Sequence, residues 1–114
     1  RYDPDTGWKR VADLPGPLAA GPSPAPADAT GFYVLGGDDG SQIGATPDKH
    51  RGFSKTVLRY DPKAGRWAEV GTLTAPRVTV PCVRWNDSWV VPSGEIRPGV
   101  RSPEVWRSTA LAKP

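Results

Sequence analysis

The sequence predicts an all-β protein built as an array of small antiparallel sheets, and three observations carry that prediction. The stretch Arg1-Tyr2-Asp3-Pro4, followed by Gly7-Trp8, returns as Arg59-Tyr60-Asp61-Pro62, followed by Gly65 and Trp67. That spacing exceeds most helical repeats and lies just above the roughly 50 residues of sheet-forming blade repeats. The chain is rich in Gly (13) and Pro (14), which suits short strands and weighs against long helices. Finally, runs of β-branched and aromatic residues bounded by glycine recur along it, Gly31-Phe32-Tyr33-Val34-Leu35-Gly36-Gly37 most clearly.

Each expected element follows from local chemistry. In the repeated motif, proline fixes φ near −65° and Asp-Pro reverses the chain; glycine takes the awkward dihedral that follows, and tryptophan opens the next strand. Gly7 to Ala12 therefore reads as an outer strand carrying Trp8. Pro15, Pro17 and the Gly21 to Ala27 stretch form a proline-rich passage, with a short inner strand expected near Leu18 to Ala20. Gly31 to Gly37 reads as a buried strand ended by its double glycine. Phe53 to Tyr60 and Arg66 to Val70 follow as third and fourth strands. A further unit starts with Arg77 to Trp85, turns at Asn86-Asp87, continues through Ser88 to Gly94, and reaches a third strand at Pro103 to Ser108. The long Asp38 to Gly52 segment has no apolar face and is expected to be an irregular loop at one rim.

These elements divide the chain into the end of a preceding blade (1–12), a complete four-stranded blade (18–71), an incomplete blade (77–109) and a tail (110–114). A blade array closes with about four to eight blades, so the chain reads as a segment of a longer protein. It contains no methionine and begins within a motif. The net charge of +3 comes from 15 basic and 12 acidic residues. They are interspersed rather than blocked, so no nucleic-acid partner is indicated. No apolar run approaches the roughly 20 residues that span a bilayer, and no signal peptide is visible in this segment.

Phe32-Tyr33-Val34-Leu35-Gly36-Gly37, Val57-Leu58-Arg59-Tyr60-Asp61-Pro62, and then Trp67 and Leu73 resemble the kelch repeat across most of the chain. The resemblance implies a kelch-type β-propeller segment, one complete blade flanked by two incomplete ones. Pro92-Ser93-Gly94-Glu95-Ile96-Arg97-Pro98-Gly99-Val100-Arg101 is in turn similar to the Gly-Glu-x-x-Pro-Gly-x-Arg segment of N-acetylneuraminate epimerases, the kelch-type sialic acid mutarotases, and their cyclically permuted relatives. That resemblance implies an isomerase with Glu95 and Arg101 as catalytic residues, a sugar acid as substrate, no cofactor or metal, and a periplasmic or secreted location. The 38–52 insertion also resembles that family's blade loop over the site. The remaining partners would be further propeller blades or copies of the chain, and the isolated segment should be inactive.

The residue types can be tested against that chemistry. Exchanging the anomers of a cyclic sugar acid requires a proton to leave the anomeric hydroxyl and one to reach the ring oxygen, and a single carboxylate can shuttle both. Arginine binds a planar carboxylate through two parallel hydrogen bonds, which lysine cannot do. Along a straight strand Glu95 and Arg101 would stand roughly 20 Å apart at about 3.3 Å per residue. The intervening Pro98-Gly99 turn can fold both toward one cavity. On residue types alone, these charges read as solvated loop charges or a surface ion pair of little energetic consequence, and it is the ten-residue resemblance that favours the site reading.

Weaker signals surround this motif. Arg97 occupies a variable motif position and is expected to face solvent, with substrate contact the second reading. His50 on the long loop reads either as a sugar contact or as a solvated residue. Asp38, beside Asp39, could meet a sugar or calcium, but two carboxylates do not make an oxygen-ligand set. Cys82, the single cysteine, reads as a small buried apolar residue. Trp8, Trp67 and Trp106 read as packing residues, while Trp85 and Trp89 bracket a hairpin without a site assignment. A copper oxidase of the galactose-oxidase kind needs several His and Tyr ligands, and the segment has one His. A sialidase turn is matched only faintly by Asp5-Thr6-Gly7-Trp8. The alternative from another class is a non-catalytic kelch module whose loops bind a protein.

Overall fold

The computed structural model describes residues 1–108; Thr109 and the expected tail at 110–114 lie outside the described residues. Among the described residues all regular structure is strand, and no helix is long and apolar enough to cross a membrane. The first hairpin joins β1 (Tyr2–Asp3) to β2 (Gly7–Trp8), pairing Tyr2 with Trp8 and Asp3 with Gly7. Its turn is held by Asp3 Oδ1, which accepts from the amides of Asp5 and Thr6 at 2.9 and 3.2 Å. The strand expected through Ala12 is thus confined to Gly7–Trp8.

The principal sheet has four antiparallel strands in the order β3 (Ala27–Asp28), β4 (Gly31–Gly37), β5 (Ser54–Asp61) and β6 (Arg66–Thr72). The last three match expectation within two residues. The inner strand expected near Leu18 to Ala20 does not form; that segment contributes a single bridge, Ala19 to Asp38. The backbone breaks there, Ala20 having a left-handed φ of 57°, and in the passage that follows Pro22, Pro24 and Pro26 remove alternate amide donors. Beyond a bridge from Ser23 to Pro81, strand pairing in this sheet starts at Ala27, where the Asp28 carboxylate accepts from the Thr30 amide and hydroxyl, both at 2.7 Å, and closes the turn into β4.

A three-stranded sheet follows, ordered β7 (Val83–Trp85), β8 (Ser88–Pro92) and, on the other side of β8, β11 (Val105–Arg107). The expected Asn86-Asp87 turn is present, with Asn86 at φ 53°, a conformation asparagine tolerates better than most residues. The strand expected from Arg77 shrinks to Val83–Trp85. Thr79 is left-handed at φ 52°, and only isolated bridges form at Val78 and Pro81. Between β8 and β11 the chain makes a hairpin that was expected only as a turn, β9 (Glu95–Arg97) against β10 (Val100–Arg101).

The buried apolar side chains are Leu58 and Tyr60 on β5, Val90 on β8, and Val78, Val80 and Cys82 in the irregular segment before β7. They form a sparse core. The radius of gyration is 15.0 Å, against about 13 Å for a compact chain of this length, and a cavity of about 570 Å³ opens between the two larger sheets. Tyr33, Leu35 and Val57 line it from one sheet, and Trp89, Val91 and Trp106 from the other. Of the residues expected to pack, Trp67 is half-buried against Phe32 and Tyr60, with ring centroids 5.3 and 5.1 Å away. Trp8 is 83 % exposed and stacks on Tyr2.

Candidate active site

Glu95 and Arg101 are brought together by the β9–β10 hairpin. Pro98-Gly99 forms its turn, Gly99 having φ 71°, and Arg101 pairs directly with Glu95 across the ladder. Directly paired residues of an antiparallel ladder project to the same side. The Arg101 guanidinium therefore donates Nη2–H to Glu95 Oε1 at 3.2 Å, while the Gly99 amide approaches Oε2 at 3.4 Å. The Glu95 side chain is 18 % exposed and that of Arg101 57 %. A shielded carboxylate beside an accessible guanidinium is an arrangement that can hold an anion and move a proton next to it.

The other expected site residues occupy different settings. Arg97 is half-buried rather than turned to solvent, and its Nε is buried without a hydrogen-bond partner among the described residues. Residues 38–52 form a succession of turns, as their composition predicts. His50 on that loop is 5 % exposed instead of solvated: its ring lies 5.0 Å from Phe53, and its Nδ1 accepts from the Gly52 amide at 3.1 Å. The loop is cross-tied by Gln42, which donates to the Gly52 carbonyl and accepts from the Arg51 amide. Its returning end runs beside β9, since a Cβ on Gly52 would stand 3.8 Å from the Ile96 carbonyl oxygen.

Asp38 sits in a corner that repeats the geometry of Glu95. Ala19 exchanges two backbone hydrogen bonds with Asp38, at 2.9 and 2.8 Å, and Val78 exchanges two with Glu95, at 3.2 and 3.0 Å. The next residue is left-handed in both cases, Ala20 and Thr79. The residue before each bridge partner lies near the preceding glycine: a Cβ on Gly37 would stand 3.4 Å from Leu18 Cβ, and one on Gly94 3.0 Å from Arg77 Cβ. The Thr79 amide donates to the Ala20 carbonyl at 2.8 Å and joins the two corners. Asp38 differs in its side chain, which caps the amide of Gly40 at 2.8 Å. Next to it, the Ser41 hydroxyl and amide hold the Asp39 carboxyl below the usual aspartate range.

Arg77 was not singled out from sequence, where it stands at the start of an apparent strand. It is 5 % exposed and is paired with the Glu104 carboxylate. It also donates to the Pro76 carbonyl at 3.0 Å and approaches Ser102 Oγ at 3.4 Å. Glu104 in turn accepts from the Trp106 indole at 3.2 Å. The only sequence signal for this network was a pair of opposite charges flanking the Glu95 motif. Cys82 is buried as expected, and burial pushes its thiol up, away from the reactive thiolate. No protein-family model matches this chain, and no curated protein matches it.

Proposed function

We propose that the chain is part of a kelch-type β-propeller sugar mutarotase, acting on a sialic acid such as N-acetylneuraminate in an exported, periplasmic or secreted protein. The observation that supports this reading best is the Glu95–Arg101 pair across the Pro98-Gly99 turn. In the proposed reaction the Glu95 carboxylate takes the proton of the anomeric hydroxyl and delivers it to the ring oxygen as the ring C–O bond breaks, leaving the open-chain keto acid and an ionised Glu95. Rotation about the opened centre and the reverse transfer close the other anomer. Arg101, being the more exposed partner, exchanges its contact with Glu95 for the substrate carboxylate. The four-stranded sheet would be one blade, the three-stranded sheet a second, and the β1–β2 hairpin the outer edge of a third.

The test uses the complete protein and follows anomer exchange by NMR. Glu95→Gln keeps the size and removes the proton acceptor, so exchange should slow by about a hundredfold or more. Arg101→Lys keeps the charge and loses the two-pronged grip, so sugar acids should suffer far more than neutral sugars. Parent rates in both variants would eliminate the mutarotase and leave the protein-binding kelch module as the better reading.

A further inference from the structure

We infer that Arg77 is a positioning residue for Glu95, an inference that deepens the mutarotase reading and rests on it for its catalytic meaning. Arg77 and its neighbour Val78 hold the hairpin on both sides. Before Glu95, Gly94 packs so closely that a Cβ there would lie 3.0 Å from Arg77 Cβ, and Val78 pairs with the Glu95 backbone. After Arg101, the Arg77 guanidinium reaches Ser102 Oγ and the Glu104 carboxylate. Ser102 and Glu104 are themselves tied back to the start of the hairpin, through the Ser102 amide to Gly94 O at 3.0 Å and the Ser93 amide to Glu104 O at 2.8 Å. One buried cation thus joins the two strands where they leave the hairpin.

The repeated corner is built without a charge at this position: the residue before its bridge partner is Leu18, whose Cβ would lie 3.4 Å from a Cβ on Gly37. Burying a guanidinium carries a desolvation penalty that an ion pair often fails to offset, and an apolar replacement of similar volume is frequently neutral. A charge kept there at the Glu95 corner, paired with the segment that returns from Arg101, points to control of geometry rather than to stability. Small misplacements of reacting groups can cost up to about a hundredfold in rate.

The complete protein carrying Arg77→Leu, which copies the Leu18 corner, provides the test. Hydrogen exchange reads the hairpin without substrate: the amides of Glu95 and Ser102 should exchange about tenfold faster, while those of Ala19 and Asp38 keep parent rates. Anomer exchange should show kcat reduced about tenfold with KM little changed, and Arg77→Lys should recover part of the loss. Combined with Glu95→Gln, Arg77→Leu should slow exchange no further, because it acts through Glu95. Glu104→Gln, at a half-exposed position, should reproduce the hydrogen-exchange effect if Arg77→Leu fails to fold. Parent amide exchange at Glu95 and Ser102 in a folded variant overturns the inference, as does a loss additive with Glu95→Gln. A parent protein without anomer exchange would instead overturn the mutarotase reading, and the amide rates would still decide the role of Arg77 in holding the hairpin.

Discussion

The Gly37–Asp38 corner and the Gly94–Glu95 corner share a backbone plan and differ in what it serves. Both use a left-handed glycine, an acidic residue bridged to a neighbouring segment, and a left-handed residue following the bridge partner. From Asp38 the chain runs into a long loop cross-tied by Gln42, and the carboxylate is spent on capping Gly40. From Glu95 it turns back within a short hairpin, and the carboxylate meets a guanidinium. The residue before the bridge partner is Leu18 in one corner and buried Arg77 in the other. The difference teaches that a repeated scaffold supplies the position of the acidic residue, while the neighbouring side chains and the length of the return decide whether its carboxylate caps a turn or meets a basic partner.

The strongest way to break this comparison is to alter both glycines. Gly37→Ala would place a Cβ 2.9 Å from the Ala19 carbonyl oxygen, and Gly94→Ala would place one 2.9 Å from Val80 Cβ, each at a left-handed φ. Left-handed strain and overpacking together should cost about 3 kcal/mol in either case, measured as a lowered urea midpoint. A corner that accepts alanine freely is not built on the shared plan.

The two Tyr-Asp-Pro hairpins sharpen the same lesson with a smaller effect. They have like turns, yet Trp67 packs on Phe32 and donates its indole N–H to the Ala12 carbonyl at 3.0 Å, whereas Trp8 is exposed. In the 114-residue chain, Trp67→Phe should lower the unfolding free energy by about 1 kcal/mol through the lost hydrogen bond. Trp8→Phe should leave it unchanged. Equal losses would mean that the two hairpins are equally embedded.

The smallest expected effect is on acid stability. Backbone amides of Ala64 and Lys63 hold the Asp61 carboxyl below its usual value of 3.8, and the Thr30 hydroxyl and amide do the same for Asp28. A carboxyl depressed in the folded state contributes stability that is complete above pH 3.8 and is lost as pH falls through the lower folded value. Asp61→Asn and Asp28→Asn should therefore flatten the fall of stability below pH 3.8, followed by acid titration of unfolding. A parent slope in both variants would remove this linkage.

Much of the molecule was written locally. The Asp-Pro reversals, the Asn86-Asp87 turn, the β4 strand with its terminal glycines and the Pro98-Gly99 turn follow from dihedral preferences that neighbouring residues impose on one another, and so does the meeting of Glu95 with Arg101. Other features depended on parts of the chain far apart in sequence. Ala27 became a strand against the start of β4, while Ala19 formed only a bridge to Asp38 beyond its end, where the next residue, Ala20, is left-handed. The burial of His50, the half-burial of Arg97, the exposure of Trp8 and the pairing of Arg77 with Glu104 came from tertiary packing, because desolvation depends on which surfaces arrive from elsewhere. The sequence by itself determined the turns and the acidic and basic partners they bring together; only the tertiary structure decided which charges lost their water.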